Sequence, residues 1–118
     1  MTKIYEFKFY INAAHRILIH DSFGEEHPHT WEMSLILEKQ DSDFLKFEQF
    51  EQRIEQLLLP FQDVLLNEIP PFHQINPTLE NFCDYLKGRI EQLLDELPWK
   101  LRCIKMSETP VRSYLILC

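Results

Sequence analysis

The chain has 118 residues, 45% of them hydrophobic and 26% charged, a composition that suits one domain over 1–118 and excludes a disordered polar chain. Its formal net charge of -7 excludes nucleic-acid binding through a broad basic surface, because phosphate neutralisation needs clustered Lys and Arg. Two glycines, Gly24 and Gly88, exclude a Gly-rich phosphate loop, and apolar runs as short as those at 57–59 and 115–117 exclude a helix that spans a bilayer.

Residues 4–11 come first, and place Tyr5, Phe7, Phe9 and Ile11 on one face with Glu6 and Lys8 on the other. That is the period-two pattern of a half-buried strand. The chain moves straight into it from Met1, with no stretch that reads as a secretion leader. Residues 13–26 carry neither period and read as an irregular connection. Residues 29–39 alternate again, Trp31, Met33, Leu35 and Leu37 against Glu32, Ser34 and Glu38, and predict a second strand.

The period then changes to three and four. Phe44, Phe47, Phe50, Ile54, Leu57, Leu58 and Phe61 form the stripe of an amphipathic helix entered from Asp41-Ser42-Asp43, with Pro60 kinking or ending it. Pro70-Pro71 marks a loop. A second helix is expected near Asn76-Pro77-Thr78, with Asn76 as cap and Pro77 at the first helical position. Its stripe is Leu79, Phe82, Cys83, Leu86, Ile90, Leu93, Leu94 and Leu97, closed by Pro98. Residues 100–107 and 112–117 read as two further strands.

The order strand, strand, helix, helix, strand, strand predicts an α+β fold: an antiparallel four-stranded sheet with both helices on one face. Such a sheet leaves two edges with unpaired backbone groups, and closure into an oligomeric barrel would remove them. Cys83, Cys103 and Cys118 show no C-x-x-C spacing, which argues against a disulfide framework or a thiolate zinc site and for a reducing, cytoplasmic setting.

His27-Pro28-His29 is the most informative tripeptide. Residues two apart on an extended segment point to one side, so both imidazoles can reach one ion, and catalytic zinc commonly takes three protein ligands plus water. His15 and His20 are both candidates for the third position. The plainer reading is a pair of solvated loop histidines, and His73, beside Pro70-Pro71-Phe72, reads as a loop residue.

Ala13-Ala14-His15-Arg16-Ile17 resembles the Ala-Ala-His-Arg-Leu segment of the 6-pyruvoyl-tetrahydropterin synthases and the related 6-carboxy-tetrahydropterin synthases. His27-Pro28-His29 resembles their His-Gly-His, Pro77-Thr78-Leu79-Glu80-Asn81 their Pro-Thr-x-Glu-Asn helix start, and Ser107-Glu108-Thr109 followed by Tyr114 their C-terminal Glu-Thr. The pieces come in the family's order across essentially the whole chain. The resemblance implies the same element order, trimers closed into a barrel and paired as hexamers, and a pterin ligand. It implies Zn2+ on His15, His27 and His29, and Glu108 as the carboxylate that anchors the pterin's guanidine-like edge.

Against the same family, catalytic groups are missing. The position of its cysteine, four before the first histidine of His-Gly-His, is Phe23, and its Asp-His pair before Leu-Asn aligns with Gln62-Asp63 before Leu66-Asn67. Glu25, Glu26 and Asp63 are the groups left to move protons, as glutamate does in branches of the family that lack the cysteine. A solvated acidic loop is the plainer reading of Glu25 and Glu26. The resemblance therefore implies a zinc-dependent lyase acting on the side chain of a reduced pterin, such as dihydroneopterin or its triphosphate. The alternatives are an inactive zinc- and pterin-binding homologue with a regulatory or structural role, or a purely structural oligomer.

Overall fold

A computed structural model of the chain describes residues 1–44 and 46–118. Its elements are β1 (Tyr5–His15), β2 (Leu18–Ile19), β3 (Ser22–Phe23), β4 (His27–Lys39), α1 (Phe47–Leu58), β5 (Val64–Leu65), α2 (Leu79–Leu94), β6 (Trp99–Thr109) and β7 (Arg112–Leu117). The four predicted strands are β1, β4, β6 and β7, joined by antiparallel pairing. Alternation sets the register: Phe7 lies across from Leu35, Phe9 from Met33 and Ile11 from Trp31, so one face collects the apolar side chains. Both helices cover that face. Phe50 of α1 meets Phe7 with ring centroids 4.9 Å apart, and Phe82 of α2 meets Trp31 at 5.1 Å. Each fully buried Leu, Ile or Phe in this layer contributes roughly 1.5–3 kcal/mol of transfer free energy.

The sheet is not the simple four-stranded antiparallel one expected. It has five strands in the order β5-β1-β4-β6-β7, and β5 pairs parallel with Ala13 and Ala14. A two-residue strand carries no readable periodicity; its backbone pairs with β1, and Val64 packs against the core. The irregular connection predicted over 13–26 is likewise partly regular. β1 runs on to His15, and β2 and β3 form a separate hairpin whose turn residues His20 and Asp21 have φ of 48 and 65°.

The helix boundaries also differ. Phe44, predicted in the first apolar stripe, lies outside α1 and is 90% exposed, while residue 45 falls outside the described residues. α1 starts after Lys46 with no side-chain cap, so Asp41-Ser42-Asp43 does not open it. Pro60 acts as expected: α1 ends at Leu58 and a single 3-10 turn, Leu59–Phe61, follows. Thr78 caps α2 in place of Asn76, its side chain accepting a hydrogen bond from the Asn81 N–H at 3.1 Å.

The outer edge of β1 is closed by side chains as well as by β5. Gln62 accepts from the Asn12 N–H and donates to the Tyr10 carbonyl, both at 2.9 Å. Asn67 does the same to Arg16, at 2.8 and 2.9 Å, and Asn76 to Leu18, at 2.9 and 3.0 Å. Each carboxamide supplies one donor and one acceptor, which is what a missing strand neighbour would have supplied. This fixes the chain on both sides of His15. No helix among the described residues is long and apolar enough to cross a membrane.

Candidate metal centre and its cavities

His15 closes β1 and His27 opens β4, and the two are opposite one another in the ladder, with Ala13 opposite His29. The strand ends therefore bring His15 and His29 to one corner of the apolar face, with Nε2 atoms 3.1 Å apart. His15 is 3% exposed, and its Nδ1 lies 2.8 Å from the Pro77 carbonyl oxygen. A carbonyl only accepts, so Nδ1 carries the hydrogen, and in the neutral imidazole Nε2 presents its lone pair toward His29.

The carbonyl that does this is held from behind. Thr78 caps α2, and Asn81 donates from its side chain to the Asn76 carbonyl at 2.9 Å, bracing the short loop that carries Pro77. The Pro-Thr-x-Glu-Asn run thus has a local structural reason: it builds the support for His15. Beneath the two imidazoles lies Trp31, fully buried, its ring edge-on to His15 at 5.0 Å and to His29 at 5.5 Å. Its Nε1 donates to the Ala13 carbonyl at 3.0 Å, which locks the indole under the site.

Glu108, next to the end of β6, points into the same corner. Its Oε2 is 3.5 Å from His15 Nε2 and 3.8 Å from His29 Nε2. His15, His29 and Glu108 offer one ligand atom each within 4.8 Å of one another. The third predicted imidazole is outside that cluster. His27 is exposed and stacked against His29 with ring centroids 6.4 Å apart, though it lines the same cavity of about 450 Å3 with Thr78, Glu80, Thr109 and Arg112. Burial lowers the His29 pKa from its ordinary 6.5, and neighbouring His15 pushes the same way, while Glu108 opposes both.

His29 also lines a second cavity, of about 570 Å3, with Asn12, Thr30, Glu26 and Asp63 among others. Glu26 and Asp63, far apart in sequence, therefore line one cavity together with His29. Glu25 is exposed and outside that lining, and His20 stands at the tip of the β2–β3 hairpin. Asp63 adopts φ 57°, left-handed backbone that costs a residue with a Cβ about 1–3 kcal/mol, and its N–H donates to the Asn12 carbonyl at 2.6 Å.

Phe23, which the sequence resemblance aligns with the family's cysteine, lies on β3 with the Arg16 guanidinium 5.4 Å above its ring. Gln62, which the same resemblance aligns with the family's acid, has both polar ends engaged by β1 backbone. Neither position offers a group that ionises. Trp31 escaped the sequence reading as a site residue, although it stands two residues from His29 and alternation puts both on one face. The Pro77 carbonyl had no sequence signal, because a backbone acceptor does not depend on its side chain. Thr109 Oγ1, beside Glu108, is buried with no hydrogen-bond partner.

Comparison with known proteins adds the following. The family described as 6-pyruvoyl tetrahydropterin synthase matches residues 4–116. No curated protein matches the sequence significantly. Among solved structures, Caenorhabditis elegans 6-pyruvoyl tetrahydropterin synthase superposes with a TM-score of 0.82 at 16% identity, over 100% of this chain and 96% of that one. The Plasmodium falciparum 6-pyruvoyl tetrahydropterin synthase gives 0.68 at 12% identity, over 96% of each chain. A Plasmodium vivax 6-pyruvoyltetrahydropterin synthase in which a glutamate, described as a catalytic residue, is replaced by alanine gives 0.64 at 13% identity, over 97% of each. At such identities these likenesses establish the fold.

Proposed function

The chain belongs to the 6-pyruvoyl tetrahydropterin synthase family, and from that premise we propose that it is a zinc-dependent lyase acting on the side chain of a reduced pterin, dihydroneopterin or its triphosphate. The observation that carries this reading is the pair of Nε2 atoms 3.1 Å apart, one of them on a buried imidazole whose other nitrogen is engaged by the Pro77 carbonyl. Nitrogens that share a tetrahedral zinc at roughly 2.0–2.1 Å lie roughly 3.3 Å from each other, so the donor set fits the metal. His15 and His29 would hold it from the strand ends, with His27 reaching in from the rim of the same cavity. Bound zinc would polarise a hydroxyl or carbonyl oxygen on the ligand's side chain.

The protein's own groups divide the remaining work. Glu108 would accept paired hydrogen bonds from the ring's guanidine-like edge, fixing orientation as well as affinity. Glu26 and Asp63, which line a cavity with His29, would take a proton from the side chain and return one to it. Glu26 is the better placed of the two adjacent glutamates, since Glu25 is not part of that cavity's lining. The Plasmodium vivax protein, whose catalytic residue is a glutamate by its description, is a precedent for a carboxylate in this role. The outer sheet edge at β7, with Leu115 and Leu117 exposed, favours assembly into the trimer or hexamer proposed for the native protein.

The deciding experiment measures zinc per chain, then turnover of dihydroneopterin and its triphosphate by wild-type, Glu26→Gln and Asp63→Asn protein. About one zinc per chain, and activity lost in Glu26→Gln or Asp63→Asn, is the expected result. A zinc-loaded protein that binds dihydropterin without turning it over would instead support the second reading, an inactive pterin-binding homologue. That reading is favoured by Phe23 and by the full structural engagement of Gln62. Absence of zinc after supplementation would defeat both.

A further inference from the structure

We infer that Glu108 is itself a ligand of the metal in the ligand-free protein, so that the resting centre is a histidine-carboxylate site with Glu108 occupying a position that a substrate oxygen would need. The inference rests on the zinc reading above and adds a ligand to it.

The geometry comes from one triangle. His15 Nε2, His29 Nε2 and Glu108 Oε2 are separated by 3.1, 3.5 and 3.8 Å, so the point equidistant from them lies about 2.0 Å from each atom. Zinc binds imidazole nitrogen at roughly 2.0–2.1 Å and carboxylate oxygen at roughly 2.0–2.2 Å. Three side chains from three strands thus leave a gap of the size that a first-row divalent ion fills. A two-histidine, one-carboxylate set is a well-used donor combination for zinc and for iron(II), and it leaves positions open to an incoming ligand.

The surroundings of Glu108 point the same way. Its side chain is 20% exposed, and among the described residues its only ion-pair partners are the two imidazoles. One of these presents a lone pair, because its other nitrogen gives its hydrogen to Pro77. A divalent cation between the neutral imidazole's lone pair and the carboxylate would satisfy both. Arg112 lines the same cavity but forms no ion pair with Glu108 among the described residues. The register between β6 and β7 shifts between Met106 and Thr109, the kind of irregularity that re-aims a side chain beside a site. Glu108 cannot serve metal and ring at once, so a docking guanidine-like edge has to draw it away from the imidazoles.

The test uses the full-length protein without pterin. Zinc affinity is measured by competition with a chromophoric chelator for wild type, Glu108→Gln and Glu108→Asp, with circular dichroism checking that each is folded. The cobalt(II)-substituted forms are compared by visible absorption. Loss of a group that only hydrogen-bonds to a ligand already costs about 10–100-fold in metal affinity, so loss of a direct ligand is expected to weaken zinc by at least about tenfold and to change the cobalt spectrum. Glu108→Asp, which keeps the carboxylate, is expected to recover part of both. Wild-type affinity and an unchanged cobalt spectrum in Glu108→Gln would overturn the inference while leaving the zinc reading standing. Failure of the wild-type protein to take up metal would overturn both.

Discussion

The Nδ1 of His15 is 2.8 Å from the carbonyl oxygen of Pro77, across 62 residues of sequence, and that contact decides which nitrogen of a buried imidazole faces the rest of the site. The helix start that carries Pro77 is therefore part of the candidate metal centre's support rather than a neighbour of it. Thr78 and Asn81 hold the loop, and the carbonyl holds the ring.

Replacing Thr78 by Ala removes the side-chain acceptor for the Asn81 N–H. Loss of such a cap costs about 1 kcal/mol, and a urea unfolding curve should show it as a lower midpoint with unchanged slope. Thr78→Ser should return most of the loss, because the hydroxyl is the working group. A variant with wild-type stability would mean that the cap contributes nothing here.

Gln62→Glu keeps an acceptor for the Asn12 N–H but sets an ionised oxygen against the Tyr10 carbonyl, where Gln62 now donates. We expect a loss of about 1–3 kcal/mol at neutral pH, the cost of facing two acceptors without a hydrogen. A protonated carboxyl can donate, so the folded state favours the protonated form and raises the pKa of the new group above the ordinary value of about 4.3. The deficit relative to wild type should then shrink as pH falls through that raised value. Parallel denaturation curves at neutral and acidic pH, with a constant deficit, would argue against the bracket.

Trp31→Phe should cost about 1 kcal/mol from loss of the hydrogen bond to the Ala13 carbonyl, plus whatever volume the smaller ring leaves unfilled. Because Trp31 packs under both His15 and His29, zinc affinity should fall with it. Thermal unfolding and chelator competition on the same variant would separate the two effects. An unchanged affinity would make Trp31 a core residue only.

Cys83 is fully buried on α2, and burial pushes its thiol pKa from 9.0 up to about 12. Maleimide or disulfide reagents at pH 8 should label exposed Cys118 and leave Cys83 untouched until the chain unfolds. The sign for stability follows from linkage. Folding holds the thiol protonated, so its contribution is complete below pH 9 and is lost as pH rises from about 9 toward about 12. Rapid labelling of Cys83 in native protein would contradict the burial that produces this shift.

The amino-acid sequence by itself determined the principal strands and both helices, because alternation along 4–11 and 29–39 and the stripe from Leu79 to Leu94 are local periodicities that burial enforces. It also singled out His15, His27 and His29 as metal ligands and Glu108 as a ring anchor, through motifs whose order survives in the chain. What it did not determine are contacts whose energy lies in backbone groups. β5 has two residues and no pattern, and Gln62, Asn67 and Asn76 bond to the backbone of residues 10, 12, 16 and 18 rather than to any side chain with a signature. The tertiary structure alone decided that Glu108 joins His15 and His29 while His27 lies at the rim, and that Glu26 and Asp63 share a cavity. These are distances between groups brought together by strand pairing, and spacing along the chain fixes such distances only within a single element.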